Sequence, residues 1–209
     1  MIAAALDQIA RHKLVMIDLD GTLYREEEYL RAGYAAIGAH CGARFGIDGA
    51  ALADFLIDGF GARGRRMLFQ DACSRFGLPA GAIEEMKVCL HNVQVSGGLS
   101  LDPRMETLLE TLCTRGIAHC VITNGTLVQQ QNKIAQLLPA NCLEGVKIYY
   151  AALYAPKPDP AALLAACADF GVAPTEAIMI GDSVADRGAA TAAGCAYLDV
   201  SQLPALDSN

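Results

Sequence analysis

The sequence Leu14-Val15-Met16-Ile17-Asp18-Leu19-Asp20-Gly21-Thr22 places two carboxylates directly after an apolar run. Four consecutive apolar residues followed by a glycine turn are typical of a strand that is buried on both faces. Because side chains alternate along an extended chain, Asp18 and Asp20 point to the same side. We therefore predict that this strand ends in a chemically active, acidic site.

A second acidic segment, Gly181-Asp182-Ser183-Val184-Ala185-Asp186, follows the apolar run Ala177-Ile178-Met179-Ile180. The carboxyl ends of parallel strands meet at one edge of an α/β sheet, and such folds bind ligands there. We therefore expect the two acidic segments to lie close together. Carboxylate oxygens are the ligands that hard divalent cations prefer, so the pair predicts a cation site that handles phosphate.

The pattern along the chain predicts two domains. Between about residues 25 and 95 the periodicity is helical, with helices over about 26–42, 48–58, 64–76 and 80–94. From Pro103 onward helices and strands alternate, one helix covering about 126–138. This alternation favours an α/β core built on a doubly wound parallel sheet. We predict that residues 1–23 and 97–209 form this core and that residues 24–96 form a small all-helical cap domain.

Composition and charge exclude several classes of protein. With 209 residues and 53% hydrophobic content, the chain can bury a full core. The formal net charge of −7 and the lack of a long basic stripe argue against binding a nucleic acid polymer. No apolar run is long enough to span a bilayer, and the first residues lack the pattern of a secretory signal. We expect a cytoplasmic protein without a membrane partner.

The eight cysteines are scattered singly and form no Cys-x-x-Cys pair. This spacing argues against a zinc site or a disulfide framework. We expect most of them to be small buried hydrophobic residues.

Four short motifs resemble, in order, those of the haloacid dehalogenase-like hydrolase superfamily. They are Asp18-Leu19-Asp20-Gly21-Thr22, Thr123-Asn124-Gly125, Lys157-Pro158-Asp159-Pro160, and Gly181-Asp182 with Asp186. The helical insertion after the first motif resembles the cap of the phosphoglycolate phosphatase, phosphoglucomutase and dehalogenase branch. The resemblance extends from about Lys13 to Val200.

The resemblance implies a role for each carboxylate of the first motif. Asp18 would be the nucleophile that forms an aspartyl-phosphate, which divides hydrolysis into two easier steps. Asp20 would protonate the departing alkoxide and later deprotonate the attacking water. Because a halide leaves without a proton, an aspartate at position 20 favours phosphate esters over haloacids.

The resemblance also implies how phosphate and a cation would be held. Asp18, the backbone carbonyl of Asp20 and Asp182 would bind Mg²⁺, and Asp186 would bind through water or orient Lys157. The hydroxyl of Thr123 and the N–H groups that follow it, from Asn124 onward, would bind phosphate oxygens. Lys157, between two prolines, would neutralise charge on the phosphate.

Substrate selection is expected in the cap. The segment Gly59-Phe60-Gly61-Ala62-Arg63-Gly64-Arg65-Arg66 is predicted to be a loop between two cap helices. Its arginines, Arg63, Arg65 and Arg66, could bind a second anionic or polar group of the substrate. A solvated basic turn is an equally good interpretation.

These observations predict a Mg²⁺-dependent phosphatase that acts on a small phosphorylated metabolite, as a monomer or homodimer. Phosphoglycolate, nucleoside monophosphates and sugar phosphates all remain open as substrates. A phosphosugar mutase, which uses the same four motifs, is the alternative. A haloacid dehalogenase and a non-catalytic binding protein fit the residues less well.

Overall fold

The structure is a computed structural model that describes residues 6–7, 9–63, 67–139 and 142–203. Contacts between residues divide the chain into two compact units. The core unit takes Met1–Arg25, Ser100–Gln130 and Leu137–Asn209, and the helical unit takes Glu26–Leu99 and Gln131–Gln136.

The core unit is built around a parallel sheet. Its strands are β1 (Leu14–Ile17), β3 (Ala118–Thr123), β5 (Lys147–Tyr150), β6 (Ala177–Gly181) and β7 (Ala196–Asp199). They lie in the order β5-β3-β1-β6-β7, and each neighbouring pair is parallel. Helices α5 (Pro103–Thr114), α7 (Ala161–Phe170) and α8 (Val184–Ala193) connect them. The predicted α/β fold class is confirmed.

The apolar runs of the sequence form the centre of this sheet. All four residues of β1 and all five of β6 are buried, as expected for strands covered on both faces. Residues from α7 and α8, such as Leu163 and Ala190, pack on Met16 and Met179 in one buried cluster. All eight cysteines are free, and Cys120 and Cys167 belong to this cluster as small apolar residues.

The helical unit contains the inserted segment. Its helices are α1 (Glu26–Phe45), α2 (Gly49–Arg63), α3 (Leu68–Phe76) and α4 (Ala82–Asn92). Helix α1 packs against α2 and α4. Glycine is needed where α1 and α2 approach, because a Cβ atom on Gly38 would lie 2.3 Å from the carbonyl oxygen of Gly49. The hydroxyl of Tyr29 donates to the carbonyl of Leu90, 2.5 Å away, and so connects α1 to α4.

Residues 131–136, which the sequence places in the predicted core, group with the helical unit instead. The side-chain amides of Asn132 and Gln136 donate to the carbonyl of Val93 at 2.8 and 3.1 Å. These residues include the end of helix α6 (Leu127–Ile134), whose first half belongs to the core unit. Helix α6 therefore belongs to both units.

The predicted bounds of several elements differ from those of the structure by a few residues, and two of these differences are large. The helix predicted over 126–138 ends at Ile134 and is followed by the short strand β4 (Leu137–Leu138), which forms a separate two-stranded sheet with β2 (Leu99–Ser100). Leu138 precedes Pro139, and a residue before proline is disfavoured in the helical conformation. The predicted loop over 59–66 is helical as far as Arg63. Gly59 and Gly61 do not end the helix, since each glycine costs it only about 1 kcal/mol.

Among the described residues, no helix combines the length and hydropathy that a bilayer crossing requires.

Candidate active site

The acidic site begins where strand β1 ends. The N–H of Asp18 donates to the carbonyl of Ile180 at 2.9 Å, which extends the pairing of β1 and β6 by one residue. Asp18 is thereby held at the carboxyl edge of the sheet, and only 6% of its surface is exposed. A carboxylate at this depth requires nearby positive charge or hydrogen-bond donors.

Lys157 supplies that positive charge. Its Nζ atom donates to Oδ1 of Asp18 at 2.5 Å, to Oδ1 of Asp186 at 2.6 Å and to the carbonyl of Ile122 at 2.9 Å. These bonds use all three N–H donors of an ammonium group. The predicted members of the first, third and fourth motifs therefore meet around one buried nitrogen.

Asn124 holds the loop that carries Lys157. Its side-chain Nδ2 donates to the carbonyl of Lys157 at 2.9 Å, and its Oδ1 accepts from the N–H of Lys157 at 2.8 Å. This paired contact positions the backbone of the third motif. Because the side chain is engaged in this way, the backbone N–H of Asn124 is the group that would serve the predicted phosphate binding, which stays a prediction. Thr123, the last residue of β3, is buried beside it.

Three carboxylates converge at this edge of the sheet. Asp18, Asp182 and Asp186 each offer an oxygen, and these oxygens all lie within 4.8 Å of one another. Asp182 is exposed, whereas the other two are buried. Gly21 makes room for this arrangement, since a Cβ atom there would lie 2.2 Å from Oδ2 of Asp182. An all-oxygen donor set with one side open to water suits Mg²⁺, which retains several water ligands.

Burial and mutual repulsion shift the charge balance of the cluster. Burial raises the pKa of Asp18 to about 7, with Asp186 and Asp20 adding repulsion and Lys157 opposing the shift. Asp182 is exposed as a residue, but the groups packed around its carboxyl partly desolvate it and raise its pKa, and repulsion from Asp186 raises the pKa further. Burial alone would lower the pKa of Lys157, but the attraction of Asp18 and Asp186 outweighs it and the pKa rises. Among the described residues of this cluster, the Lys157 ammonium group thus leaves the carboxylates with excess negative charge, which a divalent cation would neutralise.

Asp186 is fixed by the start of α8 as well as by Lys157. Its Oδ2 accepts from the N–H of Ser183 at 3.1 Å, and the Ser183 hydroxyl accepts from the N–H of Asp186 at 3.2 Å. This reciprocal arrangement is a capping box. The spacing Ser183-x-x-Asp186 is the signal in the sequence that indicates this capping box.

Asp20 has two side-chain donors that the sequence did not reveal. The hydroxyl of Tyr24 donates to its Oδ1 at 2.5 Å, and Nε2 of Gln130 donates to its Oδ2 at 3.2 Å. The spacing of four residues between Asp20 and Tyr24 is compatible with a turn contact, but no sequence pattern marks Gln130. The structure thus holds the predicted acid–base residue at both of its oxygens.

The side chains of the predicted cap arginines lie outside the described residues. Arg65 and Arg66 lie outside the described residues, and of Arg63 the structure describes only the backbone, as the last residue of α2. Their role in substrate binding stays a prediction.

The fold and the four strand-end motifs define a hydrolase class. Residues 12–194 match the family model described as a haloacid dehalogenase-like hydrolase. The chain belongs to this family. The resemblance inferred from its motifs is thereby confirmed.

Curated relatives agree with this family assignment. A phosphoglycolate phosphatase of Haemophilus influenzae is 34% identical over 118 residues, covering 52% of this chain and 50% of the relative. One of Pasteurella multocida is 35% identical over 98 residues, covering 47% and 43%. A third, of Thiobacillus denitrificans, is 64% identical over 39 residues, covering 19% and 17%. The chain thus spans half or less of the length of these relatives.

Solved structures agree on the fold. A haloacid dehalogenase family hydrolase of Deinococcus radiodurans, crystallised with bound phosphate and sodium, matches with a TM-score of 0.64 and 20% identity, covering 91% of this chain and 81% of that one. A superfamily hydrolase of Geobacter sulfurreducens matches with a TM-score of 0.62 and 22% identity, covering 90% and 86%.

Proposed function

We propose that this protein is a Mg²⁺-dependent phosphatase that hydrolyses a small phosphomonoester through an aspartyl-phosphate. The observation that carries the proposal is the contact of Lys157 with both Asp18 and Asp186 beside the doubly held Asp20. This arrangement supplies a nucleophile, a cation and an acid–base group within one edge of the sheet. Family membership and the names of the curated relatives support the same activity.

In the first step a carboxylate oxygen of Asp18 forms a bond to phosphorus, and the bond from phosphorus to the ester oxygen breaks. The carboxyl group of Asp20 gives its proton to the departing oxygen. In the second step the oxygen of a water molecule forms a bond to phosphorus, the bond from phosphorus to Asp18 breaks, and the water gives a proton to Asp20. Inorganic phosphate leaves, and both carboxyl groups return to their starting states.

Lys157 lowers the cost of bringing an anionic nucleophile to an anionic phosphate. The hydroxyl of Thr123 and the N–H groups that follow it bind phosphate oxygens in this proposal. Asp18, Asp182 and the carbonyl of Asp20 would hold Mg²⁺, which supplies charge neutralisation when it is bound.

Phosphoglycolate is the first substrate to test, because the curated relatives carry that activity in their names. We further propose that the enzyme acts in the cytoplasm on a small phosphorylated metabolite, as a monomer or homodimer, without nucleic acid or membrane partners. Its eight free cysteines suit a reducing compartment.

The proposal is tested by Asp18→Asn with Mg²⁺ and a panel of phosphomonoesters, among them phosphoglycolate, nucleoside monophosphates, sugar phosphates and p-nitrophenyl phosphate. We expect turnover to fall by roughly 10⁴-fold or more, the scale seen when a covalent nucleophile is removed. Acid quenching of the wild type should trap phosphate on Asp18.

Asp48→Asn is the matched control. Oδ1 of Asp48 accepts from the N–H of Ala51 at 3.0 Å, at the start of α2, and asparagine can make the same contact. This variant should keep wild-type turnover. A folded Asp18→Asn protein that still hydrolyses the panel, or a wild type that is inactive on every ester, would refute the proposed function.

A further inference from the structure

Asp20 is held at both carboxylate oxygens by side chains to which the family motifs assign no role. Tyr24 donates to Oδ1 at 2.5 Å, and Gln130 donates to Oδ2 at 3.2 Å. Two donors on two oxygens define the plane of a carboxylate, which a single contact would leave free to rotate about χ2. The acid–base group therefore has one orientation before any substrate arrives.

Tyr24 is held by its surroundings. Only 1% of its surface is exposed, and its backbone forms isolated bridges to Asp20 on one side and to Leu101 on the other. A buried tyrosine hydroxyl must find a hydrogen-bond partner, and here a carboxylate provides one. A hydroxyl both donates and accepts, so this contact can persist in both protonation states of Asp20.

Gln130 reaches Asp20 because the second motif leaves space for it. A Cβ atom on Gly125 would lie 2.2 Å from Nε2 of Gln130, so a larger residue there would displace this amide from its present position. The same Nε2 also donates to the carbonyl of Asn124 at 2.5 Å. Both neighbours of this nitrogen are acceptors, which fixes the amide orientation. The glycine of the second motif thus leaves room for the amide of Gln130 beside Asp20.

We propose that Tyr24 is a positioning residue for acid–base catalysis and that Gln130 assists it by holding the second oxygen of Asp20. The inference rests on the proposed function, in which Asp20 protonates the leaving oxygen. A proton donor contributes fully only when it is aligned with the atom that receives its proton. The benefit of alignment is therefore greatest for esters whose leaving group is a poor one.

This dependence distinguishes positioning from simple structural support. The test uses 2,4-dinitrophenyl, p-nitrophenyl and phenyl phosphate, which differ in leaving-group acidity but little in shape. The parameter is kcat/KM, because it reports the steps up to transfer of the phosphoryl group to Asp18. Tyr24→Phe removes one hydroxyl and keeps the ring that fills the core.

We expect Tyr24→Phe to lower kcat/KM for phenyl phosphate by about ten- to a hundredfold, the scale of one hydrogen bond to a charged group. For 2,4-dinitrophenyl phosphate the loss should be at most about threefold, since that leaving group needs little protonation. Gln130→Met keeps the side-chain length but cannot donate a hydrogen bond. It should likewise lower kcat/KM more for phenyl phosphate than for 2,4-dinitrophenyl phosphate.

Two further variants complete the test. In an Asp20→Asn background, Tyr24→Phe should have almost no additional effect, because the group that it positions no longer gives a proton. Tyr29→Phe is the control, because it removes another buried hydroxyl contact, to the carbonyl of Leu90. In this variant kcat/KM should depend on the leaving group as it does in the wild type.

An equal loss on all three esters for Tyr24→Phe, or a full loss again in the Asp20→Asn background, would overturn the inference and assign Tyr24 a purely structural role. If Tyr24→Phe does not fold, an unchanged dependence in Gln130→Met would overturn the shared positioning. These outcomes require an active wild type, whereas a wild type inactive on every ester refutes the proposed function instead.

Discussion

Lys157 in the core unit and Lys133 in the helical unit are both buried, but their surroundings differ. Nζ of Lys157 donates to two carboxylates and a carbonyl at 2.5 to 2.9 Å. Nζ of Lys133 lies 3.8 Å from a carboxylate oxygen of Glu26 and 4.9 Å from the ring centre of Tyr29. The Glu26 side chain is 20% exposed, whereas those of Asp18 and Asp186 are 8% and 1% exposed.

These surroundings indicate different roles: Lys157 neutralises and positions two buried carboxylates, whereas Lys133 helps to pack the helical unit. Around Lys157 the carboxylates outnumber the cation, so removing it leaves uncompensated buried charge. Around Lys133 an aromatic face shares the stabilisation, and water reaches part of the carboxylate. The two sites should therefore respond differently to the same substitution and to Mg²⁺. The substitutions Lys157→Met, Asp182→Ala and Lys133→Met test this contrast, in order of decreasing expected effect, and the partly exposed pair of Asp102 and Arg104 gives the smallest effect for comparison.

Lys157→Met should abolish most of the activity and also destabilise the protein. We expect kcat to fall by roughly 10²–10³-fold, as when one preorganised donor to the transition state is lost. Without Mg²⁺ the free energy of unfolding should fall by about 3–5 kcal/mol, because Asp18 and Asp186 lose their shared cation. Mg²⁺ should restore part of that stability but not the turnover. Urea unfolding with and without Mg²⁺ measures the stability, and steady-state kinetics measures kcat. Activity close to that of the wild type would show that Lys157 is only structural.

Asp182→Ala should act on the metal requirement. If this exposed carboxylate is a direct ligand, the Mg²⁺ concentration for half-maximal activity should rise by roughly 10- to 100-fold. Titration of activity with Mg²⁺ after EDTA treatment measures the change. Asp169→Ala is the control, because Asp169 lies on α7, pairs with Lys147 of β5 and is outside the acidic cluster. Equal Mg²⁺ requirements in the two variants would contradict the ligand assignment.

Lys133→Met should affect stability in a way that Mg²⁺ does not correct. Methionine replaces the apolar stem but removes the charge above the Tyr29 ring, a contact worth about 2 kcal/mol when water is excluded. We expect the free energy of unfolding to fall by about that amount, with and without Mg²⁺ alike. The same urea experiment tests this. If Mg²⁺ rescued Lys133→Met as it rescues Lys157→Met, the contrast between the two lysines would be wrong.

Asp102 and Arg104 show how a partly exposed pair behaves. The side-chain hydrogen bond from Arg104 lowers the pKa of Asp102 below its ordinary value of 3.8. The unfolded chain therefore binds the proton more readily, so the stabilisation is complete above about pH 4 and is lost as the pH falls through the lowered pKa. The midpoints of thermal unfolding of wild type and Asp102→Asn should differ by a constant amount between pH 5 and 8, and this difference should shrink progressively as the pH falls below about 4. The effect should be the smallest of the four, because surface pairs contribute about 0–1 kcal/mol.

Much of the core followed from local sequence patterns. Apolar runs such as Leu14–Ile17 and Ala177–Gly181 identify buried strands, and glycine and acidic residues after them identify the edge where ligands bind. The helix predicted over 126–138 was too long because periodicity alone does not show where an amphipathic segment changes its partners. The pattern underestimates the extent of α2, because Gly59 and Gly61 are typical of a loop, whereas this helix tolerates both glycines.

The sequence by itself determined the order of the strands and helices of the core and the residues at the ends of its strands, because both depend on side chains close together in the chain. Only the tertiary structure decided which groups meet. Asp18 and Lys157 are 139 residues apart in sequence, and Asp20 and Gln130 are 110 apart. The burial of Lys133 and the groups that hold Asp20 follow from those distant contacts. A local pattern reports which face of an element is apolar, but the partner that reaches a polar atom depends on how distant elements pack.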